Sequence, residues 1–330
     1  MENLYVLGGR QSHRLFKNSD EWNLYEAALV LAIDTETLAV TRCLEYETPA
    51  DARATARSSV LFKSGTLAEN RLYVCTLTEV LVIGVPEFVI LHRVSLPCFN
   101  DLHHVTVSHD GTLLAAVTGL DLVARFTPQG ELREMWNVLG PDSPWGRFSP
   151  TVDYRKIETT KPHLSHPNFV FELGSDVWVT RLHQRDAVCL TDRSKRIELA
   201  LEQPHDGLLR FGRLHFTLVD GRVLIANAET LQLEQVVDLK EVDNPNSLLG
   251  WCRGILPLTP AQWWVGFSRV RQTRFEKHVE WVKRVLREGM SEEPTHIALY
   301  DLETRQRLRR VDLEGHGMDV VFGILGPVSA

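Results

Sequence analysis

A four-beat rhythm of apolar runs and turns constrains this chain more than any single residue does. In TVSHDGTLLAAVTGLDLVARFTPQGELREMW a short run meets an Asp-Gly turn, two more runs follow across a brief break, and a Gln-Gly turn leads into a fourth. RLYVCTLTEVLVIGV, DVWVTRLHQRDAVCL and RVLIANAETLQLEQVVDL repeat parts of that order, rich in Val, Leu, Ile and Thr and broken by short Gly and Asp turns. The repeat length, roughly forty residues, is that of a four-stranded propeller blade. Blades are expected at about 57–99, 100–141, 163–203, 204–243 and 250–314. MDVVFGIL (318–325) is then an inner strand with nothing after it, while NLYVLGG and ALVLAIDTETLAVTRCLEY at the chain start lack an inner strand. Joining both ends in one blade supplies each deficit and removes an exposed sheet edge. The pattern therefore predicts an all-β, six-bladed β-propeller in a single domain, 1–330, with five and seven as the neighbouring counts.

One segment departs from the strand rhythm. In TRFEKHVEWVKRVLREGM the apolar Phe275, Val279, Val282, Val285 and Leu286 fall near helical spacing, and no Gly or Pro intervenes before Gly289. This predicts a helix near 273–289 inserted in the last complete blade, as a lid over a pocket, a docking surface for a protein, or plain surface cover. Composition narrows the partners. A net charge of −7 argues against broad capture of nucleic acid, and no stretch has the length and apolarity of a membrane span. MENLYVLGGRQSHRLF lacks a charged segment followed by a long apolar one, and Cys43, Cys75, Cys98, Cys189 and Cys252 are scattered without CxxC spacing. A cytoplasmic protein with reduced thiols is expected, its partners neither nucleic acid nor membrane.

Chemistry-bearing residues gather where inner strands begin, and such starts converge on a propeller's channel from distant parts of the sequence. The candidates are Asp101, His103 and His104 in NDLHHVTV, His166 and Asn168 in SHPNFV, and His205 and Asp206 in QPHDG. WCRG adds Cys252 and Arg253, and HGMD adds His316 and Asp319. Three convergent imidazoles, from His104, His166 and His205, suit a divalent transition metal (Zn, Fe, Mn, Co or Cu) and leave a coordination position open. Asp101 or Asp206 can orient an imidazole from behind. Arg253, with Arg181 of WVTR at the channel mouth, can hold a carboxylate, phosphate or sulfate. Strand alternation turns His103 and His104 to opposite faces; His104 is the preferred ligand and His103 the alternative. A single histidine before a strand more often bonds backbone in a turn, and recurrence in three consecutive blades is what favours a site. Cys252 beside Trp251 reads as a small buried thiol. His109, His183, His215, His278 and His296 lie mid-blade or further out and receive no role.

NDLHHVTVSHDGTLLAAVTGLDLVARFTPQGEL resembles blades of the gluconolactonase-like, senescence-marker-type six-bladed propellers. HPNFVFELGSDVWVTRLHQRDAVCL and QPHDGLLRFGRLHFTLVDGRVLIAN are similar to the histidine-bearing blades of arylsulfotransferases. That second resemblance implies a channel histidine that takes a sulfuryl group, with His205 as nucleophile and His104, His166 and Arg181 as its partners. QPHDGLLRFGRLHFTL, WCRGILPLTPAQWWVGFSR and THIALYDLETRQRL resemble blades of an uncharacterised bacterial propeller family, a resemblance that covers roughly the last two-thirds of the chain. The three-histidine arrangement itself is similar in architecture to the amidating lyase propeller, whose zinc is held by channel histidines.

Three functions compete. The favoured one is a metal-dependent enzyme acting on a small anionic or heteroaromatic molecule, of the kind found in specialised natural-product metabolism. The second is group transfer through a histidine nucleophile, without metal. The third is a non-catalytic propeller that docks a protein through its rim or the inserted helix. Trp136, Trp145, Trp251, Trp263 and Trp264 are its candidate anchors, although Trp263 and Trp264 sit in an alternating strand and are expected between blades.

Overall fold

The computed structural model describes residues 3–12, 25–140, 143–243, 247–270 and 291–326. Six four-stranded antiparallel sheets follow one another around a ring. Their inner strands are, in ring order, Gly65–Ala68, Leu102–Val107, Pro167–Leu173, Leu208–Arg210, Trp251–Pro257 and Val320–Leu325. We number the blades one to six in that order. Blade six joins the two ends of the chain: Val320–Leu325 pairs with Asn3–Gln11, followed outward by Tyr25–Asp34 and Val40–Tyr46. The strands left without partners at each terminus thus complete one another. Gly8 makes this seam possible, because a Cβ there would collide with the Val320 carbonyl oxygen.

The burial pattern explains the composition of the runs. Leu113–Val117 is buried along its whole length and Val80–Gly84 all but its end, whereas the outer Val89–Val94 is exposed except at its last residue. Both faces of a middle strand press on neighbouring blades, so such strands read as continuous apolar runs rather than alternating ones. Apolar clusters fill the spaces between blades; Phe171 and Trp178 of blade three meet Phe216 of blade four in one of them. Burying a side chain such as Phe216 contributes about 2–3 kcal/mol. Trp263 and Trp264 are fully buried, as expected for residues between blades. The segment expected to be helical, 273–289, lies outside the described residues. Among those residues the only α-helix is the single turn Leu239–Val242, and no helix is long and apolar enough to cross a membrane.

At one level of the ring the ladders are interrupted. In blade two the register shifts between Leu102 and His104, leaving His103 without a partner on the next strand. In blade three the same shift leaves out Asn168, and in blade six the residue left out is Phe322. In blade five Arg253 and Gly254 together oppose Gly266 alone. In blade four the His205 amide bonds the Thr217 carbonyl while Leu208 pairs with His215, so Asp206 and Gly207 face Phe216 alone. Each is a β-bulge, which bends its strand and re-aims the extra side chain. Asp101, His166 and Asp206 enter these bulges with φ of 49°, 60° and 51°. Aspartate and histidine are among the few non-glycine residues that tolerate this region.

Candidate active site

The bulges deliver a compact polar cluster. Lys63, from the apolar stretch SSVLFKSG, places its Nζ 3.1 Å from His103 Nε2 and 3.6 Å from Asp101 Oδ1. The Asp101 carboxylate is itself 3.3 Å from His103 Nε2. Toward the next blade, His103 Nδ1 lies 2.8 Å from Asn168 Oδ1, and Asn168 Nδ2 donates to the Pro204 carbonyl at 2.8 Å. The Pro204 bond fixes which way the Asn168 amide faces, so His103 Nδ1 carries the proton. Its Nε2 offers a lone pair to Lys63.

A second pair of imidazoles stands beside the first. The Asp121 carboxylate accepts the amides of Leu164, Ser165 and His166, each at 2.9 Å. This folds the HLSH turn back so that His163 Nδ1 and His166 Nδ1 are 3.0 Å apart, sharing one proton. The His166 ring meets His103 edge-on, with centroids 4.7 Å apart. Phe322 carries two cations against its ring, Lys63 Nζ at 4.4 Å and Arg253 Cζ at 4.8 Å from the centroid. Lys63, Asp101, His103, Asn168 and His205 are buried, whereas His166 and Arg253 keep some solvent exposure.

Burial sets the protonation states. It lowers His103 to about 4, with the Lys63 and Arg253 charges adding to the effect. It holds His166 and His205 well below the usual imidazole range, reinforced by neighbouring imidazoles and, for His205, by Arg253. These rings are neutral bases at pH 7. Burial alone would raise Asp101, but the Lys63 ammonium beside it overcomes this and keeps the carboxylate ionised. Burial also lowers the Lys63 ammonium, with Arg253 adding to the effect and Asp101 opposing it. Asp206 is pushed up to about 6 by burial, despite bonds from the Thr217 hydroxyl and the Gly254 amide. Two polar atoms are left over: Arg253 Nε, a donor, and His205 Nε2 are buried without a hydrogen-bond partner.

Several expected site residues lie elsewhere. His104 does not line the channel; it stacks flat on Phe169 with centroids 3.5 Å apart and accepts the Val170 amide at 3.4 Å. The bulge at His103 breaks the alternation that had favoured His104. Arg181 does not face the channel groups either. It grips Asp186 at 2.8 and 2.6 Å and donates to the Val138 carbonyl, a strut between blades two and three. The three expected ligands are not equivalent: His205 precedes the left-handed residue of its blade, His166 is that residue, and His104 follows its own by three positions. Among the described residues no group of three His, Cys, Asp or Glu is disposed to hold a metal ion, so the donors do not fit a three-imidazole shell. Cys252 packs in the core between blades four and five, its thiol pushed up by burial. His316 is exposed, and Asp319 accepts the Gln11 amide at 2.7 Å beside the closing seam.

Lys63, His163 and Phe322 join the cluster without having been singled out in the sequence. Lys63 had a legible signal, a lone cation directly after the apolar VLF and just ahead of the first inner strand. His163 had none, since KPHLSH lies in a connection outside the strand rhythm.

No known protein family matches the chain, and no curated protein matches it. Solved structures do. A Bacteroides caccae protein of unknown function superposes with a TM-score of 0.62 at 12% identity, covering 99% of both chains. A chain of the nidogen/laminin complex superposes with a TM-score of 0.59 at 9% identity, again covering 99% of each. The chain is a six-bladed β-propeller. At such identities the propeller shares with these neighbours its fold alone, and its chemistry has to be argued from its own channel.

Proposed function

We propose that the propeller channel is an enzyme active site for a small organic anion, in which Arg253 anchors the negative group and neutral imidazoles move protons. The observation that supports this best is the state of Arg253. Its guanidinium rests on Phe322 and makes no hydrogen bond or ion pair with any described residue, and its Nε is buried. A buried donor left unmade costs about 1–3 kcal/mol. A carboxylate, sulfate or phosphate in the channel restores that bond in charge-assisted form. His103, His166 and His205 then stand nearby as bases, His103 with its tautomer fixed.

Arg253→Met tests this. Methionine keeps the contact with Phe322 and removes a desolvated charge that makes no direct ion pair, Asp206 and Asp101 acting on it only at a distance, so thermal stability is expected to hold or rise. Calorimetric affinity for a panel of small carboxylates, sulfate and phosphate should fall at least tenfold. Equal affinities in both proteins would sink the reading.

A metal-dependent reading keeps one observation in its favour, the His163 and His166 Nδ1 atoms 3.0 Å apart. Two imidazole lone pairs at that separation can meet on one ion, but the described residues bring no third donor. Elemental analysis of untagged protein purified without chelator is expected to find metal far below one equivalent. Near-stoichiometric metal that disappears in His166→Ala would favour the metal reading instead.

A further inference from the structure

We infer that Lys63 is an imine-forming residue and that the anion anchored by Arg253 is an oxo acid, a molecule carrying both a carbonyl and a carboxylate. The inference rests on the anion-site reading above and adds a covalent step to it. Three features of the cluster support it. Lys63 is buried and its Nζ has no backbone partner; its nearest contact is the His103 Nε2 lone pair at 3.1 Å, and Asp101 forms an ion pair with it at 3.6 Å. The chain from Pro204 through Asn168 fixes the His103 tautomer so that this lone pair is always the one facing Lys63. A proton acceptor is therefore built onto the amine. The second cation, Arg253, sits against the same Phe322 ring, 4.8 Å from the centroid against 4.4 Å for Lys63, and the inferred oxo acid is the molecule that spans the two.

Lys63 gives a proton to His103 Nε2, and the freed amine lone pair attacks the carbonyl carbon while the carbonyl π pair moves onto oxygen. Proton transfer from nitrogen to that oxygen gives a neutral carbinolamine. His103 returns its proton to the hydroxyl, which leaves as water while the nitrogen lone pair closes the C=N bond. Ammonium and carbonyl become iminium and water, and His103 ends neutral. Desolvation of the amine favours the deprotonated form this requires. The channel phenylalanine shields the iminium as it shields the ammonium.

Reductive trapping tests the inference on the full chain. The protein is incubated with pyruvate or 2-oxoglutarate and cyanoborohydride at pH 7, and adducts are mapped by peptide mass spectrometry. The adduct is expected at Lys63 at least ten times faster than at any other lysine, and Lys63→Arg should abolish it. His103→Gln removes the proton acceptor, so it should slow trapping about tenfold at pH 7 and much less at pH 9. Wild-type trapping alone decides the matter if a variant fails to fold. Labelling of Lys63 no faster than of surface lysines, with Arg253-dependent anion binding intact, overturns the imine and leaves the anion site standing. Loss of anion binding as well overturns both.

Discussion

Lowering the pH from 7 to 5 is expected to remove about 3 kcal/mol of folding stability. The source is histidine held neutral. His103 titrates at about 4 and His104 at about 3 in the folded protein, against about 6.5 in the unfolded chain. A depressed histidine gives stability that is whole above the unfolded value and is lost as pH falls from there toward the folded one. At pH 5 each of these two has lost about 2 kcal/mol. Asp206 acts in the opposite sense. Its folded value is raised to about 6, so its contribution is whole at low pH and is lost as pH climbs through 6. Acidification from 7 to 5 therefore returns about 1 kcal/mol from Asp206, and the histidines win. His166 and His205, also depressed, deepen the loss. Urea unfolding at the two pH values measures it. His104→Phe keeps the stack on Phe169 while removing one titrating ring, and should make the drop smaller by about 2 kcal/mol. An unchanged drop would mean that His104 is not held neutral between blades.

Arg181→Met is expected to destabilise the fold by about 3 kcal/mol without weakening anion binding. Asp186 is completely buried; it takes two hydrogen bonds from Arg181 and pairs with Arg196, which is half-exposed. Removing the inner guanidinium leaves a buried carboxylate whose remaining partner is partly hydrated, and that is the costly way to break such a pair. Changing both residues, Arg181→Met with Asp186→Leu, should restore much of the loss, since no charge then stays buried. Urea unfolding reads the stability, and calorimetry at a temperature where the variant is folded reads the site. The comparison with Arg253→Met is sharp, because that change is expected to do the reverse. A tenfold loss of anion affinity in Arg181→Met would return this arginine to the channel.

Much of the architecture was legible because it rests on local signals. Turn chemistry every few residues marks strand ends, and the inner strand stranded at 318–325 asks for the partners waiting at the chain start. The site was legible only in outline. His103, His166, Asn168, His205 and Arg253 were found by their position at inner-strand starts, yet the choice between His103 and His104 followed an alternation that the blade does not keep. A bulge is a property of two strands in register, and nothing in NDLHHVTV alone shows that Val117 and Ala116 will pair with Leu102 and His104. The same holds for the proton on His103, which depends on a carbonyl at Pro204 a full blade away. Arg181 was misplaced for a different reason. Its partner Asp186 lies five residues on, across a hairpin, and WVTRLHQRD reads equally well as a surface turn.

The ring of bulges also separates two jobs that most β-structure combines. A side chain in a regular ladder must fit the strand opposite and the blade alongside, so changing it disturbs both. The extra residue of a bulge has no partner on the strand opposite, and His103, Asn168, Arg253 and Phe322 occupy such places in blades two, three, five and six. The propeller is in this respect a mounting plate for one linked set of fittings: His103 holds Asn168 and Asn168 holds the Pro204 carbonyl, so the channel groups answer to one another while the apolar clusters between blades are built from other residues.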